Sequence, residues 1–124
     1  MTENQKLIKQ YILLVIKNFS PKNEEFIHSF LFLLSLHDKE LIIKDWYSNG
    51  YSVLSETVAS NIKELCAQKK IFYSSDGTYK TNYNLQFENE LVNRIKAMNN
   101  TYRVGLGGYR MINEAIKKYK NFAL

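Results

Sequence analysis

Apolar residues recur at helical spacing near both ends of the chain, and this pattern predicts a mainly helical fold. A first helix is predicted over residues 3–18, opened by a capping box at Thr2 and Gln5, and a second over residues 21–36, with Ser20 as its cap. The second half of helix two is apolar almost all round, as is typical of a helix buried on several sides. We therefore expect helix two to lie at the centre of the core.

The middle of the chain carries signals for a strand and a third helix. Residues 41–47 are rich in β-branched and aromatic side chains and predict a strand that ends at the turn residues 48–50. A third helix is predicted at about residues 53–68, with either Ser52 or Ser55 as its N-cap. Its apolar stripe consists of Leu54, Val58, Ile62 and Leu65.

An Asp-Gly pair between two aromatic runs predicts a β-hairpin after helix three. Residues 71–73 would pair with residues 78–83 across Asp76 and Gly77. A helix followed by a hairpin is how winged-helix domains present one helix and one β-wing, so the sequence predicts a winged-helix-like domain. We expect Trp46 to be buried near helix two, because alternate residues of a strand face one side.

Two further helices are predicted after the hairpin. The stripe of the first is Phe87, Leu91, Ile95 and Met98. A glycine-rich break at residues 105–108 precedes the last helix, on which Tyr109, Ile112, Ile116 and Tyr119 form one face. The predicted class is α+β, mainly helical and winged-helix-like, in the order helix, helix, strand, helix, strand, strand, helix, helix. We expect a single domain over residues 1–124, with a basic C-terminal helical extension over residues 94–124.

The composition is that of an ordinary globular protein. Hydrophobic residues make up 45% and charged residues 23% of the chain, which argues against disorder and against a membrane class. The uninterrupted apolar runs are far shorter than the ~20 residues that span a bilayer, so we expect no transmembrane helix and no membrane partner. Residues 1–5 carry an acid where a secretory signal has positive charge, so we expect a cytoplasmic protein.

Candidate catalytic and metal-binding residues do not assemble into a recognised signature. The single cysteine, Cys66, is expected to be a small buried hydrophobe. His28 and His37 are too far apart in sequence to share one turn of helix as metal ligands. The glycines of residues 105–108 precede a helix but lack the dinucleotide-binding and P-loop spacings. We predict no enzymatic activity, no metal and no cofactor.

Positive charge is concentrated in the last quarter of the chain. Residues 1–93 hold 10 Lys/Arg and 11 Asp/Glu, net −1, whereas residues 94–124 hold 7 Lys/Arg and one Glu, net +6. Such asymmetry points to an anionic partner, whether nucleic acid, a membrane surface or an acidic protein. Basic residues that alternate with aromatic ones suit phosphates and bases, so the alternative function is a nucleic-acid-binding regulator. Its candidate contact residues are Arg94, Lys96, Arg103, Arg110, Lys117, Lys118 and Lys120.

The turn after the predicted strand and the outer side of helix three supply candidate protein-binding residues. On helix three the acidic residues outnumber the lysine, so this surface is poorly suited to DNA. Tyr47, Tyr51, Asn61 and Lys63 belong neither to the apolar stripe nor to a cap, which leaves them free for contact with a protein. Our first functional prediction is a non-enzymatic protein-binding adaptor, and the sequence leaves a homodimer open.

Residues 46–52 read Trp-Tyr-Ser-Asn-Gly-Tyr-Ser and stand between an apolar helix and helix three. Because of this turn, residues 26–84 resemble the Panacea domain of antitoxins and mobile-element proteins. In that domain a Tyr-Gly-Pro-Tyr-Ser-like turn lies between a strand and a helix, and the helix is followed by a β-wing. The chain departs from that pattern in two ways: it lacks the proline, and two residues separate Tyr47 from Gly50. The resemblance implies a small adaptor that binds and neutralises another protein, often within a toxin–antitoxin, phage or plasmid locus.

Overall fold

Five α-helices and four short strands are formed by residues 2–19, 22–82, 89–102 and 108–122, which are the residues described by the computed structural model. The helices are α1 (Glu3–Asn18), α2 (Glu24–Ser35), α3 (Glu56–Ala67), α4 (Asn89–Tyr102) and α5 (Gly108–Phe122). The strands are β1 (Trp46–Ser48), β2 (Val53–Ser55), β3 (Phe72–Tyr73) and β4 (Tyr79–Lys80). They form two antiparallel sheets, β1 with β2 and β3 with β4. The predicted class, α+β and mainly helical, is confirmed.

Several predicted features lie outside the described residues, so the structure does not address them. These are the cap Ser20, the first residue of predicted helix two (Pro21), the hairpin residue Tyr83, the stripe residue Phe87, the basic residue Arg103, the glycine break at residues 105–107 and the side chain of Tyr109.

The first two helices begin at side-chain caps. Helix α1 has the predicted capping box, in which the Thr2 hydroxyl accepts the Gln5 N–H at 3.1 Å. Helix α2 begins three residues later than predicted, because the side chain of Asn23 caps it by accepting the Phe26 N–H at 2.9 Å. Every residue from Phe26 to Leu34 is buried, which confirms that helix two is the centre of the core.

The predicted single strand over residues 41–47 is wrong in its first five residues. Both backbone polar groups of Ile42 bond to the side chain of Asn4, at 2.7 and 3.0 Å, so this segment pairs with α1 instead of with another strand. The chain forms a hairpin of β1 and β2 further along, which adds a strand before helix three to the predicted order. Leu54 consequently lies in β2 and not on the helix.

The later elements follow the local signals more closely. Ser55, one of the two predicted caps, caps α3 by accepting the Val58 N–H at 3.2 Å. The Asp-Gly hairpin forms as predicted, with Gly77 at φ +82° in its turn. Helix α4 continues through Asn99 and ends at Tyr102.

One hydrophobic core unites the described elements. Trp46 is 8% exposed and packs edge-on against Phe32 of α2 with ring centroids 5.1 Å apart, which confirms its predicted burial. The C-terminal helices join the same core through Leu91, Ile95 and Met98 of α4 and Met111 and Ala115 of α5. None of the described helices is long and apolar enough to cross a membrane.

Candidate protein-binding surface

The β1–β2 hairpin turns one aromatic side chain inward and two outward. Trp46 faces the core, whereas Tyr47 is 41% exposed and Tyr51, at the tip of the turn, is 81% exposed. The turn is fixed because the side chain of Asn49 accepts the N–H groups of Tyr51 and Ser52, both at 2.9 Å. Tyr51 therefore projects into solvent from an ordered support.

The β3–β4 hairpin exposes a second aromatic pair. Phe72 is 45% exposed and Tyr73 is 65% exposed, although neither was singled out by the sequence analysis as a binding residue. Both belong to the predicted strand over residues 71–73, but a two-stranded hairpin at the surface leaves their side chains uncovered. The ring of Tyr73 lies 5.0 Å from that of Tyr79, which is largely buried.

The two hairpins and the start of α2 border an open cleft of about 420 Å³, which we call the hairpin cleft. Its lining residues are Asn23, Glu24, Glu25, Leu54, Tyr73, Gly77 and Tyr79. The β3–β4 hairpin is held at the cleft by a backbone bond from the Tyr79 N–H to the Lys22 carbonyl at 3.0 Å.

Glu24 connects the cleft to the interior. The Tyr79 hydroxyl donates to Oε1 of Glu24 at 3.3 Å, and Nε2 of buried His28 lies 3.5 Å from Oε2. Because Nδ1 of His28 accepts the Ser55 N–H at 3.0 Å, a neutral His28 carries its proton on Nε2, on the side of Glu24. The His28 imidazole lowers the pKa of Glu24 more than partial burial raises it. Burial and the negative charge of Glu24 raise the pKa of Tyr79 to about 12.

A second polar cluster fixes the end of the β1–β2 hairpin on helix α3. The Ser55 hydroxyl donates to one oxygen of Asp45 at 2.6 Å, and the N–H and hydroxyl of Thr57 both donate to the other oxygen at 2.9 Å. Desolvation opposes ionisation of Asp45, but these hydrogen bonds outweigh it and lower the pKa of Asp45. The position of Tyr47 relative to α3 is thereby fixed.

The four predicted protein-binding residues do not form one surface. Tyr47, Tyr51 and Lys63 are exposed, and the Tyr47 hydroxyl lies 3.4 Å from the Glu56 carboxylate. The prediction that Asn61 points outward is wrong, because Asn61 is 3% exposed and its side-chain oxygen accepts a hydrogen bond from buried Lys9. Asn61 is therefore a contact between α1 and α3.

The predicted nucleic-acid-binding residues also divide into two groups. Arg94 is only part-exposed and donates to buried Asp38 at 2.8 Å, so it holds α4 on the core. Lys96, Arg110, Lys117, Lys118 and Lys120 are exposed. Lys117 lies 3.8 Å from Glu114 on the same helix.

The aromatic residues near those cations mostly pack inward. Tyr102 is buried, and its hydroxyl lies 3.4 Å from Nε2 of His37. Tyr119 is half-buried. Phe122 is 54% exposed but packs edge-on against Phe32. These rings contribute to the core more than to a stacking surface for bases.

Cys66 is half-buried and packs against the core. Burial and the charge of Glu24 raise the pKa of its thiol, which disfavours the nucleophilic thiolate. Within the described ranges, no group of three or more His, Cys, Asp or Glu side chains is arranged to hold a metal ion. The chain matches no family model, no curated protein sequence and no solved structure.

Proposed function

We propose that this protein is a non-enzymatic, winged-helix-like adaptor that binds another protein through the exposed aromatic side chains of its two hairpins. The observation that carries the proposal is that Tyr47 and Tyr51 on one hairpin, and Phe72 and Tyr73 on the other, are all at least 41% exposed. Aromatic residues are enriched in protein–protein interfaces, where they supply much of the binding energy.

The hydrogen bonds within the two hairpin turns support this function. Asn49 fixes the turn that carries Tyr51, and in the second turn the Ser74 N–H donates to the Thr78 carbonyl at 2.8 Å. A surface that is ordered before binding loses less conformational entropy when the partner docks. In this proposal, α3 would serve as the recognition helix and the β3–β4 hairpin as the wing of a winged helix.

The surface of α3 favours a protein over a duplex as the partner. Its exposed charged residues are Glu56, Lys63 and Glu64, so acids outnumber the lysine where a DNA-binding winged helix needs positive charge. The resemblance to the Panacea domain adds a role for the binding, namely neutralisation of the partner. Such a partner would be encoded in the same mobile-element locus.

The test is to capture partners from the source cells with tagged protein, purify the captured protein and titrate it directly. We expect the double substitution Tyr51→Ser with Phe72→Ser to weaken the affinity about tenfold or more, since central aromatic residues often dominate an interface. The control is Ile42→Ser, which removes a 50% exposed apolar side chain that belongs to neither hairpin. Equal affinities for the double variant and the control would disprove the proposal.

A second candidate function, nucleic-acid binding, is favoured by the solvent face of α5. Met111 and Ala115 of this helix are fully buried, and helical spacing places the exposed cations Arg110, Lys117 and Lys120 on the opposite side. This arrangement places several positive charges where a phosphate backbone could approach them.

This second candidate is tested by reversing two exposed charges of α5, at Lys117 and Lys118. We expect Lys117→Glu with Lys118→Glu to weaken binding to any sequence and to flatten the dependence of affinity on salt, measured by fluorescence polarisation at two salt concentrations. The control, Lys39→Glu with Lys44→Glu, makes the same charge change at exposed positions elsewhere. Absence of binding to duplex and single strands at low salt would remove this candidate.

A further inference from the structure

We propose that the hairpin cleft binds the side chain of an arginine in an extended segment of the partner protein. This inference rests on the proposed adaptor function and specifies what the partner must present to it. The cleft combines an aromatic wall with carboxylates, and these are the two kinds of group that recognise a guanidinium ion.

The aromatic wall is formed by a pair of tyrosines. Tyr73 and Tyr79 lie with ring centroids 5.0 Å apart and tilted by 55°, and Tyr79 is held from behind by its bond to Glu24. Because Tyr73 is 65% exposed, its ring is accessible from the cleft. The planar guanidinium of arginine stacks on such a ring, which a lysine ammonium does less well.

The carboxylate of Glu24 has acceptor capacity left for a ligand. Its contacts with Tyr79 at 3.3 Å and with His28 at 3.5 Å are both long, whereas charge-assisted hydrogen bonds are usually about 2.7–2.9 Å. Its side chain is 44% exposed, and Glu25 beside it is exposed as well. A guanidinium with five N–H donors could satisfy both carboxylates.

The charges around the cleft also favour a cation. The pKa of the Tyr47 hydroxyl is raised, first by desolvation and then by the negative charges of Glu56 and Glu24. The pKa of Glu24 is lowered mainly by the hydrogen bond with His28, and the field of Lys63 adds to this lowering, so Lys63 is one opposing charge near the cleft. Lys63 therefore competes with an incoming arginine, and its removal should strengthen binding.

The volume of the cleft agrees with one side chain and its neighbouring backbone. At about 420 Å³ it lies at the lower end of the range of ligand sites, about 300–1,000 Å³. A cleft of this volume has room for one side chain, and an extended segment presents alternate side chains outward from its backbone.

The experiment is a titration of the full chain, followed by two-dimensional amide NMR. The ligand is the peptide Gly-Ser-Arg-Ser-Gly, acetylated at its N-terminus and amidated at its C-terminus. The neutral analogue is the same peptide with citrulline in place of arginine. We expect shift changes at Glu25, Tyr73 and Gly77 with the arginine peptide and much smaller ones with the neutral analogue. Tyr73→Leu and Glu25→Gln should each raise the dissociation constant about two- to fivefold. Lys63→Ala should lower it.

The matched control is Phe122→Leu, because Phe122 is a 54% exposed aromatic residue of α5 that does not line the cleft. Equal responses to the two peptides, shift changes centred outside the cleft, or equal losses from Phe122→Leu and Tyr73→Leu would overturn the inference. If Tyr51→Ser with Phe72→Ser abolishes partner binding while the arginine peptide leaves the cleft unchanged, the adaptor function stands and the arginine inference fails.

Discussion

Lys9 and Asn61 are joined by a buried hydrogen bond of 2.8 Å between Nζ and the side-chain oxygen, which links α1 to α3. Lys9 is only 6% exposed, and its ammonium also pairs with Glu64. Burying an ammonium group costs free energy unless its N–H groups are hydrogen-bonded. Lys9 can therefore lie between α1 and α3 because Asn61 and Glu64 both accept from it. Asn61 in turn donates to the Thr57 carbonyl at 2.8 Å, which fixes its orientation.

Substitution of Asn61 should therefore destabilise the fold. We expect Asn61→Ala to lower the free energy of unfolding by about 1–3 kcal/mol, because the Lys9 ammonium loses a buried acceptor. Urea denaturation measures this change. The exposed neighbour provides the control, since Ser60→Ala should alter stability by less than about 0.5 kcal/mol. Identical midpoints for both variants would mean that water replaces Asn61 at the ammonium.

Local sequence signals account for the elements that were predicted correctly. The caps Thr2 and Ser55 bond to backbone groups three residues away, and the turn at Asp76 and Gly77 is determined by its own residues. The burial of Trp46 follows from its position in a strand next to an apolar helix. For the caps and the turn the physical cause lies within a few residues of the prediction, whereas Trp46 is buried against Phe32 of α2.

The incorrect predictions concern residues whose structure or burial depends on partners far away in the sequence. Asn4 pairs with Ile42 across 38 positions and removes the need for a strand there. Asn61 is buried because a lysine 52 positions away reaches it. Exposed aromatic residues in the β3–β4 hairpin were missed as binding residues because a single sequence does not show whether a hairpin is covered.

Arg94 should contribute to stability and not to nucleic-acid binding. Its guanidinium donates to Asp38, which is 4% exposed and also accepts the Tyr11 hydroxyl. We expect Arg94→Ala to lower the free energy of unfolding by about 1.5–3 kcal/mol, as for other hydrogen bonds to charged groups. The control Lys96→Ala, on the exposed side of the same helix, should have little effect. Unchanged stability with a loss of nucleic-acid affinity would instead place Arg94 on a binding surface.

Trp46 should be the most sensitive residue of the β1–β2 hairpin. Its truncation leaves a cavity against Phe32, so we expect Trp46→Ala to lower the free energy of unfolding by about 3–5 kcal/mol. The control Tyr51→Ala removes a mostly exposed ring in the turn between β1 and β2 and should cost less than about 0.5 kcal/mol. Thermal unfolding of the two variants checks the difference, and a loss below about 1 kcal/mol for Trp46→Ala would contradict the packing described.

Asp45 should make stability depend on acidic pH. Its pKa in the folded protein lies below the ordinary value of 3.8, despite the opposing effect of desolvation, because Ser55 and Thr57 donate to the carboxylate. A group with a lowered folded pKa binds fewer protons in the native state than in the unfolded state, so its contribution is present above pH 3.8 and is lost as the pH falls through the folded pKa.

The variant Asp45→Asn should remove this contribution. We expect its free energy of unfolding to be lower than that of the parent protein near neutral pH, and the difference to shrink as the pH is lowered below about 4, measured by urea denaturation across that range. The variant Glu3→Gln is the control, because Glu3 is an exposed acid at the start of α1. A difference between parent and Asp45→Asn that stays constant with pH would show that the aspartate acts through its shape and not through its charge.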